Sequence, residues 1–182
     1  MLIQINKSLL RVVAPSLFTA LGVFSSSSVL ADNVTKVYFT GEIVESACGL
    51  ASDSVHQTVQ LGQYPTHVFK AKGDRTQPVP FTIRLTDCDT NIAQIASFTF
   101  YANPDSSGKL FQVDGGAQGI GVRLFYNHQP LDNGAVATMK TLADGENVTH
   151  FAAAYEANTD VITSPVTVGR AQSWALLKVA YQ

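Results

Sequence analysis

Apolar and polar residues alternate with a period of two in several short segments, the first of which is VTKVYFTGEIVESAC at residues 34–48. Its apolar face comprises Val37, Phe39, Gly41 and Ile43. The opposite face is polar except for Tyr38. Successive side chains of a strand point to opposite faces, so this pattern predicts a β-strand. A strand with one apolar face must pair either within its own domain or with another chain.

The apolar residues change parity after Ile43, because Val44 and Cys48 lie on the other face. One interpretation is a boundary between a segment that inserts elsewhere and the first strand of the domain itself. The alternative is a β-bulge within one continuous strand. Both interpretations stay open at this point.

The same alternation predicts further strands at residues 81–86, 97–101, 120–126, 150–155 and 173–181. Clusters of Gly, Asn, Asp and Pro separate them, as at residues 103–108 and 132–134. Helical periodicity is weak throughout. Short strands divided by turn residues over one domain indicate an all-β, antiparallel sandwich.

The last predicted strand places Ser173, Ala175, Leu177, Val179 and Tyr181 on one face. It runs almost to Gln182, although chain termini usually fray. The strand is either an ordinary core strand or one whose end is itself recognised by a partner.

The first 31 residues are typical of a secretory signal peptide. They contain Lys7 and Arg11 and no acidic residue, followed by an apolar run at 12–24 and small residues at Val29 and Ala31. Cleavage there would leave 151 of the 182 residues, which suffices for one domain, with a net charge near −4. That charge argues against a nucleic-acid partner. No later segment has the roughly 18 apolar residues of a membrane span, so none is predicted in the mature chain.

The chain has two cysteines, Cys48 and Cys88, both after the signal. In an oxidising compartment, an even pair favours one disulfide, closing a loop of about 40 residues. A metal or redox site is the alternative, but no CxxC or neighbouring His pattern accompanies either residue.

No motif indicates an enzyme. The histidines are scattered along the chain, at His56, His67, His128 and His150. HExxH and GxSxG are absent, and the glycines at 115–119 lack the context of a phosphate-binding loop. We therefore predict no catalytic residue, no metal and no cofactor.

In these segments the chain resembles the pilins, the structural subunits of type 1 and P-like bacterial fimbriae that assemble by the chaperone–usher route. The resemblance covers essentially the whole mature sequence. It rests on VYFTGEIVESAC, PVPFTIRLTDC, GIGVRLFY, THFAAAYEA and the tail AQSWALLKVAYQ, in that order after a signal. Ser173, Trp174 and Leu177 depart from the Ala, Ala and Phe common in that tail.

The resemblance implies an incomplete immunoglobulin-like sandwich that is completed by a donor strand from another chain. A periplasmic chaperone would first fill the open groove, and at an outer-membrane usher the N-terminal extension of a neighbouring pilin subunit would replace it, which is strand addition to a sheet edge. The extension would be residues 32–43, preceding a pilin domain at 44–182. Its groove-filling residues would be Val37, Phe39, Gly41 and Ile43, with Thr35 as the outermost contact.

The resemblance also implies the Cys48–Cys88 disulfide. The strand beside the groove would present Ala175, Leu177 and Val179, and the chaperone would capture the end of the chain at Tyr181 and Gln182. The expected function is therefore that of a non-enzymatic subunit, exported through the periplasm to a cell-surface fimbrium that supports adhesion. The alternative is a secreted, monomeric β-sandwich that binds a carbohydrate or protein, with an esterase or protease on a sandwich scaffold as a more distant third.

Overall fold

The structure is a computed structural model that describes residues 35–182. The predicted signal peptide at 1–31 and residues 32–34 of the predicted extension lie outside the described residues. A division between two units falls between Gly41 and Glu42, so residues 35–41 and the domain Glu42–Gln182 are described separately. No helix within the described range is long and apolar enough to cross a membrane.

The described residues contain two short 3-10 helices, Ser52–Ser54 and Thr66–Val68. Their nine strands are β1 (Gly49–Leu50), β2 (Val79–Cys88), β3 (Ala96–Tyr101), β4 (Phe111–Gln112), β5 (Ile120–Tyr126), β6 (Gln129–Leu131), β7 (Val136–Met139), β8 (Gly145–Ala157) and β9 (Leu176–Tyr181).

The strands form two sheets, and every strand pair is antiparallel. The larger sheet has the order β1-β2-β8-β5-β4, with β6 paired to β5. The smaller sheet has the order β7-β3-β9. The predicted strand at 120–126 has the bounds observed for β5, and β2 and β8 extend beyond their predicted bounds because each pairs along most of the other.

The main core contains residues of both sheets and is rich in aromatic rings. Phe151 of β8 lies at its centre, with the rings of Phe81, Phe98, Phe100 and Tyr126 at centroid distances of 5.0–5.8 Å. Phe98 is completely buried. The inward-facing residues of the alternating segments thus form the interface between the sheets.

A disulfide joins Cys48, just before β1, to Cys88 at the end of β2, as the sequence predicts. Both cysteines are buried in the main core. The bond closes the loop that contains β1 and most of β2, and it fixes the beginning of the domain to the larger sheet.

Two predicted strands differ from those observed. Residues 35–45 form no regular structure, because a strand needs a neighbouring edge for its backbone groups. β9 begins at Leu176 instead of Ser173, since the preceding residues bond elsewhere. Gln172 exchanges two backbone hydrogen bonds with Asp114 (2.7 and 2.9 Å), and the Ser173 hydroxyl donates to the Gln112 carbonyl at 2.7 Å.

Candidate functional site: a groove beside the C-terminal strand

An open groove of about 1160 Å³ lies along the domain, between the segment 54–66 and the segment 166–177. We call these two segments the first rim and the second rim. Side chains from both sheets form the floor: Phe81, Ile83, Phe100, Phe111, Ile120, Val122, Leu124, Ala153 and Tyr155. Because these residues are almost all apolar, the groove suits a ligand with apolar side chains.

The central part of the first rim, His56–Tyr64, has no regular secondary structure apart from a turn at His56. Within the described part of the chain, none of these nine residues makes a backbone–backbone hydrogen bond. Backbone groups of a folded domain are almost always paired with protein or with water. This rim therefore presents a row of donors and acceptors that an added strand could satisfy.

The second rim leads into β9, which pairs with β3 alone among the described strands. Ala175, just before β9, and Leu177 within it line the groove. Val179 and Tyr181 do not line it. The groove reaches the level of the Phe100–Leu177 pair of the β3–β9 ladder, and Val179 (opposite Phe98) and Tyr181 (opposite Ala96) lie beyond that level.

The end of the chain is held at one end of the smaller sheet. The carbonyl of Gln182 accepts hydrogen bonds from the amides of Gln94 (2.8 Å) and Ile95 (2.9 Å), and its own amide donates to the Ile95 carbonyl (3.0 Å). The hydroxyl of Tyr181 makes a long contact of 3.4 Å with the Cys48 carbonyl. Burial raises the pKa of Tyr181, against the opposing effect of a hydrogen bond with Ser46. The last two residues are thus ordered next to the disulfide.

The predicted groove-filling residues are strongly exposed in the isolated chain. Val37, Phe39 and Ile43 expose 68%, 92% and 100% of their surface. A Cβ added to Gly41 would have no atom within 4 Å, so nothing in the isolated chain requires a glycine there. Exposed apolar side chains at this density are typical of a segment that binds a partner.

A buried ion cluster, which no sequence motif predicts, is the most prominent electrostatic feature of the described residues. Arg123 donates to Glu156 through Nε (2.9 Å) and a terminal nitrogen (3.0 Å) and also contacts Asp132. Arg75 donates to Glu156 at 2.6 Å. Burial raises the pKa of Glu156, but the hydrogen bonds from Arg123 and Arg75 together hold it below its usual value. Since the charges compensate one another, the cluster is a structural element of the larger sheet.

Within residues 35–182 no group of three or more His, Cys, Asp or Glu side chains could hold a metal ion. The first rim was also missed by the sequence analysis. The only sequence feature that indicates a strand there is that Val55, Val59 and Leu61 would lie on the same face. Polar residues and Gly62 interrupt this alternation.

The fold and the groove define a class of protein: an all-β domain with the immunoglobulin-like fold of pilus subunits. The domain is similar to a solved structure of a chaperone–usher pilus that is described as revealing the molecular basis of rod uncoiling. The TM-score is 0.70, and the sequences are 22% identical, with 86% of this chain and 100% of that one covered. It is also similar to the P pilus rod subunit PapA, with a TM-score of 0.64 and 24% identity over 75% of this chain and 100% of that one.

Sequence comparison identifies the family. The model of the family described as "Fimbrial protein" matches residues 37–182. The type-1 fimbrial protein, C chain, of Escherichia coli is 36% identical over 95% of this chain and 99% of that protein. The type-1 fimbrial protein, A chain, of Salmonella typhi is 34% identical over 80% of this chain and 82% of that protein. The chain belongs to the fimbrial protein family. It is a structural pilin that associates with other pilin subunits in a surface fimbria.

Proposed function

We propose that this pilin polymerises by donor-strand exchange, in which residues 32–43 of one subunit, the donor segment, fill the groove of the next. The observation that carries the proposal is an apolar groove that lies between the unpaired backbone of residues 56–64 and the start of β9, whose second edge pairs with no described strand. A single added strand would bond to both edges and bury its apolar face against the floor.

The donor segment suits this groove in its chemistry. Val37, Phe39 and Ile43 are exposed in the isolated chain, and burying each would contribute about 1.5–3 kcal/mol. Together they would supply roughly 5–9 kcal/mol, and each backbone hydrogen bond adds about 0.5–1.5 kcal/mol. Association costs about 4–15 kcal/mol, so tight pairing needs both the side chains and the backbone bonds.

Gly41 has a separate role in this proposal. Its neighbours in the segment would anchor the strand, whereas the missing side chain at Gly41 would allow the backbone to approach the groove floor closely. The isolated chain has open space at this position, so a larger residue would affect pairing without affecting the fold.

Before assembly the groove needs another occupant, because an exposed apolar groove with free strand edges promotes aggregation. We propose that a periplasmic chaperone supplies a temporary strand and holds the chain end at Tyr181 and Gln182, and that exchange takes place at an outer-membrane usher during export. The similarity to a chaperone–usher pilus structure supports this route. No part of it requires catalysis or a cofactor.

The test is a deletion of residues 32–43 from the mature chain, co-expressed with the cognate chaperone. The truncated subunit should form a stable chaperone complex and should accept a strand from an intact subunit, but it should not donate one. A triple substitution of the opposite face, Lys36→Ala, Thr40→Ala and Glu42→Ala, is the control and should polymerise normally. A truncated chain that folds alone as a stable monomer and ignores intact subunits would instead support a monomeric binding module.

A further inference from the structure

The two ends of the groove can be told apart by their places along β8, which forms part of the floor. One end lies beside Ile83, which pairs with Thr149 of β8. The other end lies beside Val166, which belongs with Ala157 of β8 to a second, smaller hydrophobic core. Thr149 and Ala157 are eight residues apart in this strand, a distance of about 26 Å. We call these the Ile83 end and the Val166 end.

The second rim runs from the Val166 end toward the Ile83 end. It begins at Val166, and at its other limit Leu177 pairs with Phe100 of β3. The Phe100 ring lies 6.2 Å, between centroids, from the ring of Phe81, which is two residues from Ile83 in β2. A strand inserted antiparallel to this rim therefore ends toward Val166, and a parallel one begins there.

The groove has one charged side chain, and it lies toward the Val166 end. Among the described residues that line the groove, Arg170 is the only Lys, Arg, Asp or Glu. The next residue, Ala171, packs against the second core, and its carbonyl accepts a hydrogen bond from the Tyr155 hydroxyl at 2.7 Å. Arg170 is exposed, and no carboxylate of the described chain forms an ion pair with it. Its charge is thus available to a strand that enters the groove.

The donor segment carries opposite charges toward its two ends. Lys36 is the only charged residue in 33–41, whereas Glu42 is followed by a second acid, Glu45. Lys36 and Glu42 both lie on the face opposite Val37, so they stay at the surface when the apolar face is buried. Six residue steps of a strand separate them by roughly 20 Å. Only one of the two can therefore reach Arg170.

We propose, on the basis of the donor-strand function above, that Glu42 of the donor pairs with Arg170 of the acceptor and so selects the direction and register of the inserted strand. With Glu42 beside Arg170 in an antiparallel strand, Val37 lies beside Ala175, five residues along each chain, and the apolar face stays within the groove. The reverse direction would bring Lys36 to Arg170, which is a repulsive contact.

The size of the effect follows from the exposure of the pair. An exposed ion pair raises affinity by up to about fivefold. Loss of the Glu42 charge alone therefore leaves polymerisation intact, because the apolar face supplies most of the binding. Reversal of the charge also adds repulsion, so Glu42→Lys should weaken binding by about tenfold.

A competition between peptides tests the pair. The chaperone complex of a subunit lacking residues 32–43 is offered two 35–45 peptides at equal concentration, and native mass spectrometry measures the ratio in which they replace the chaperone. On the intact acceptor the intact peptide should exceed Glu42→Lys by about tenfold. On an Arg170→Glu acceptor the preference should reverse. Lys140→Glu is the matched acceptor control, since Lys140 is exposed but does not line the groove, and it should leave the tenfold preference unchanged.

The direction is tested with a second peptide, Lys36→Glu. Its ratio to the intact peptide should be the same on the intact and Arg170→Glu acceptors, because about 20 Å exceeds the screening length of about 8 Å at physiological ionic strength. If Arg170→Glu forms no chaperone complex, Arg170→Gln takes its place, and the disadvantage of Glu42→Lys should then fall below about threefold.

The outcomes separate the two proposals. An intact peptide that never replaces the chaperone would overturn donor-strand exchange itself. If the intact peptide does replace it, but the preference over Glu42→Lys is the same on the intact and Arg170 variant acceptors, the ion pair is wrong and donor-strand exchange stands. Coupling of Arg170 to Lys36 in place of Glu42 would equally overturn the pair, because the strand would then run in the opposite direction.

Discussion

Replacement of Phe39 by Ala should weaken subunit pairing without weakening the subunit. Phe39 exposes 92% of its surface in the isolated chain, so its loss removes no packing from the fold. Burial of a Phe side chain is worth about 1.5–3 kcal/mol, and truncation inside a packed site adds the cost of a cavity. A loss of about 2–3 kcal/mol corresponds to a roughly 30- to 150-fold weaker affinity.

Tyr38 is the matched control for this experiment. It is also aromatic and exposed, but it lies on the opposite face of the donor segment. Peptides of residues 35–45 with Phe39→Ala or Tyr38→Ala would be titrated into the subunit that lacks residues 32–43. Trp174, the only tryptophan, lines the groove and provides a fluorescence signal. Equal affinities for the two variant peptides would refute the assignment of the apolar face to the groove.

Three further predictions concern other parts of the molecule. Gly41→Leu should leave the unfolding midpoint unchanged and should block polymerisation, whereas normal fibres would exclude a close approach there. Because the pKa of Glu156 lies below its usual value in the folded state, the stability from its pairing with Arg123 is present near neutral pH and is lost as the pH falls through that lowered pKa. Glu156→Gln should lower the free energy of unfolding by about 3–5 kcal/mol at pH 7, as measured by denaturant titration. It should also flatten the decrease of that free energy at acid pH, and an unchanged decrease would contradict this. Cys48→Ser with Cys88→Ser should lower the free energy of unfolding by about 4 kcal/mol, and a loss below 1 kcal/mol would contradict the loop-closure argument.

The alternating segments predicted most of the long strands. Ile120–Tyr126 is β5 as predicted, because its side chains pack on both faces and its ends are marked by turn residues. Asn127 and His128 form such a turn, with φ of 49° and 62°, and they return the chain into β6. The sequence carries no signal for so short a strand, since three residues are too few to show a period.

The groove could be predicted only in part. Leu177 follows from the parity of the last strand, because the register with β3 continues that parity. The central part of the first rim, residues 56–64, could not be predicted, since its backbone has no backbone partner in the described chain and a strand pattern is enforced by pairing. The Arg123–Glu156 pair was equally hidden, because 33 residues separate two groups that meet only when β5 pairs with β8.

Amide hydrogen exchange along the first rim tests the central claim most directly. In the subunit lacking residues 32–43, the amides of residues 56–64 should exchange rapidly, because none of them has a backbone partner in the described structure. Addition of the 35–45 peptide should slow exchange along this rim and along the free edge of β9. Binding of the peptide with unchanged exchange at both edges would contradict strand addition to the groove.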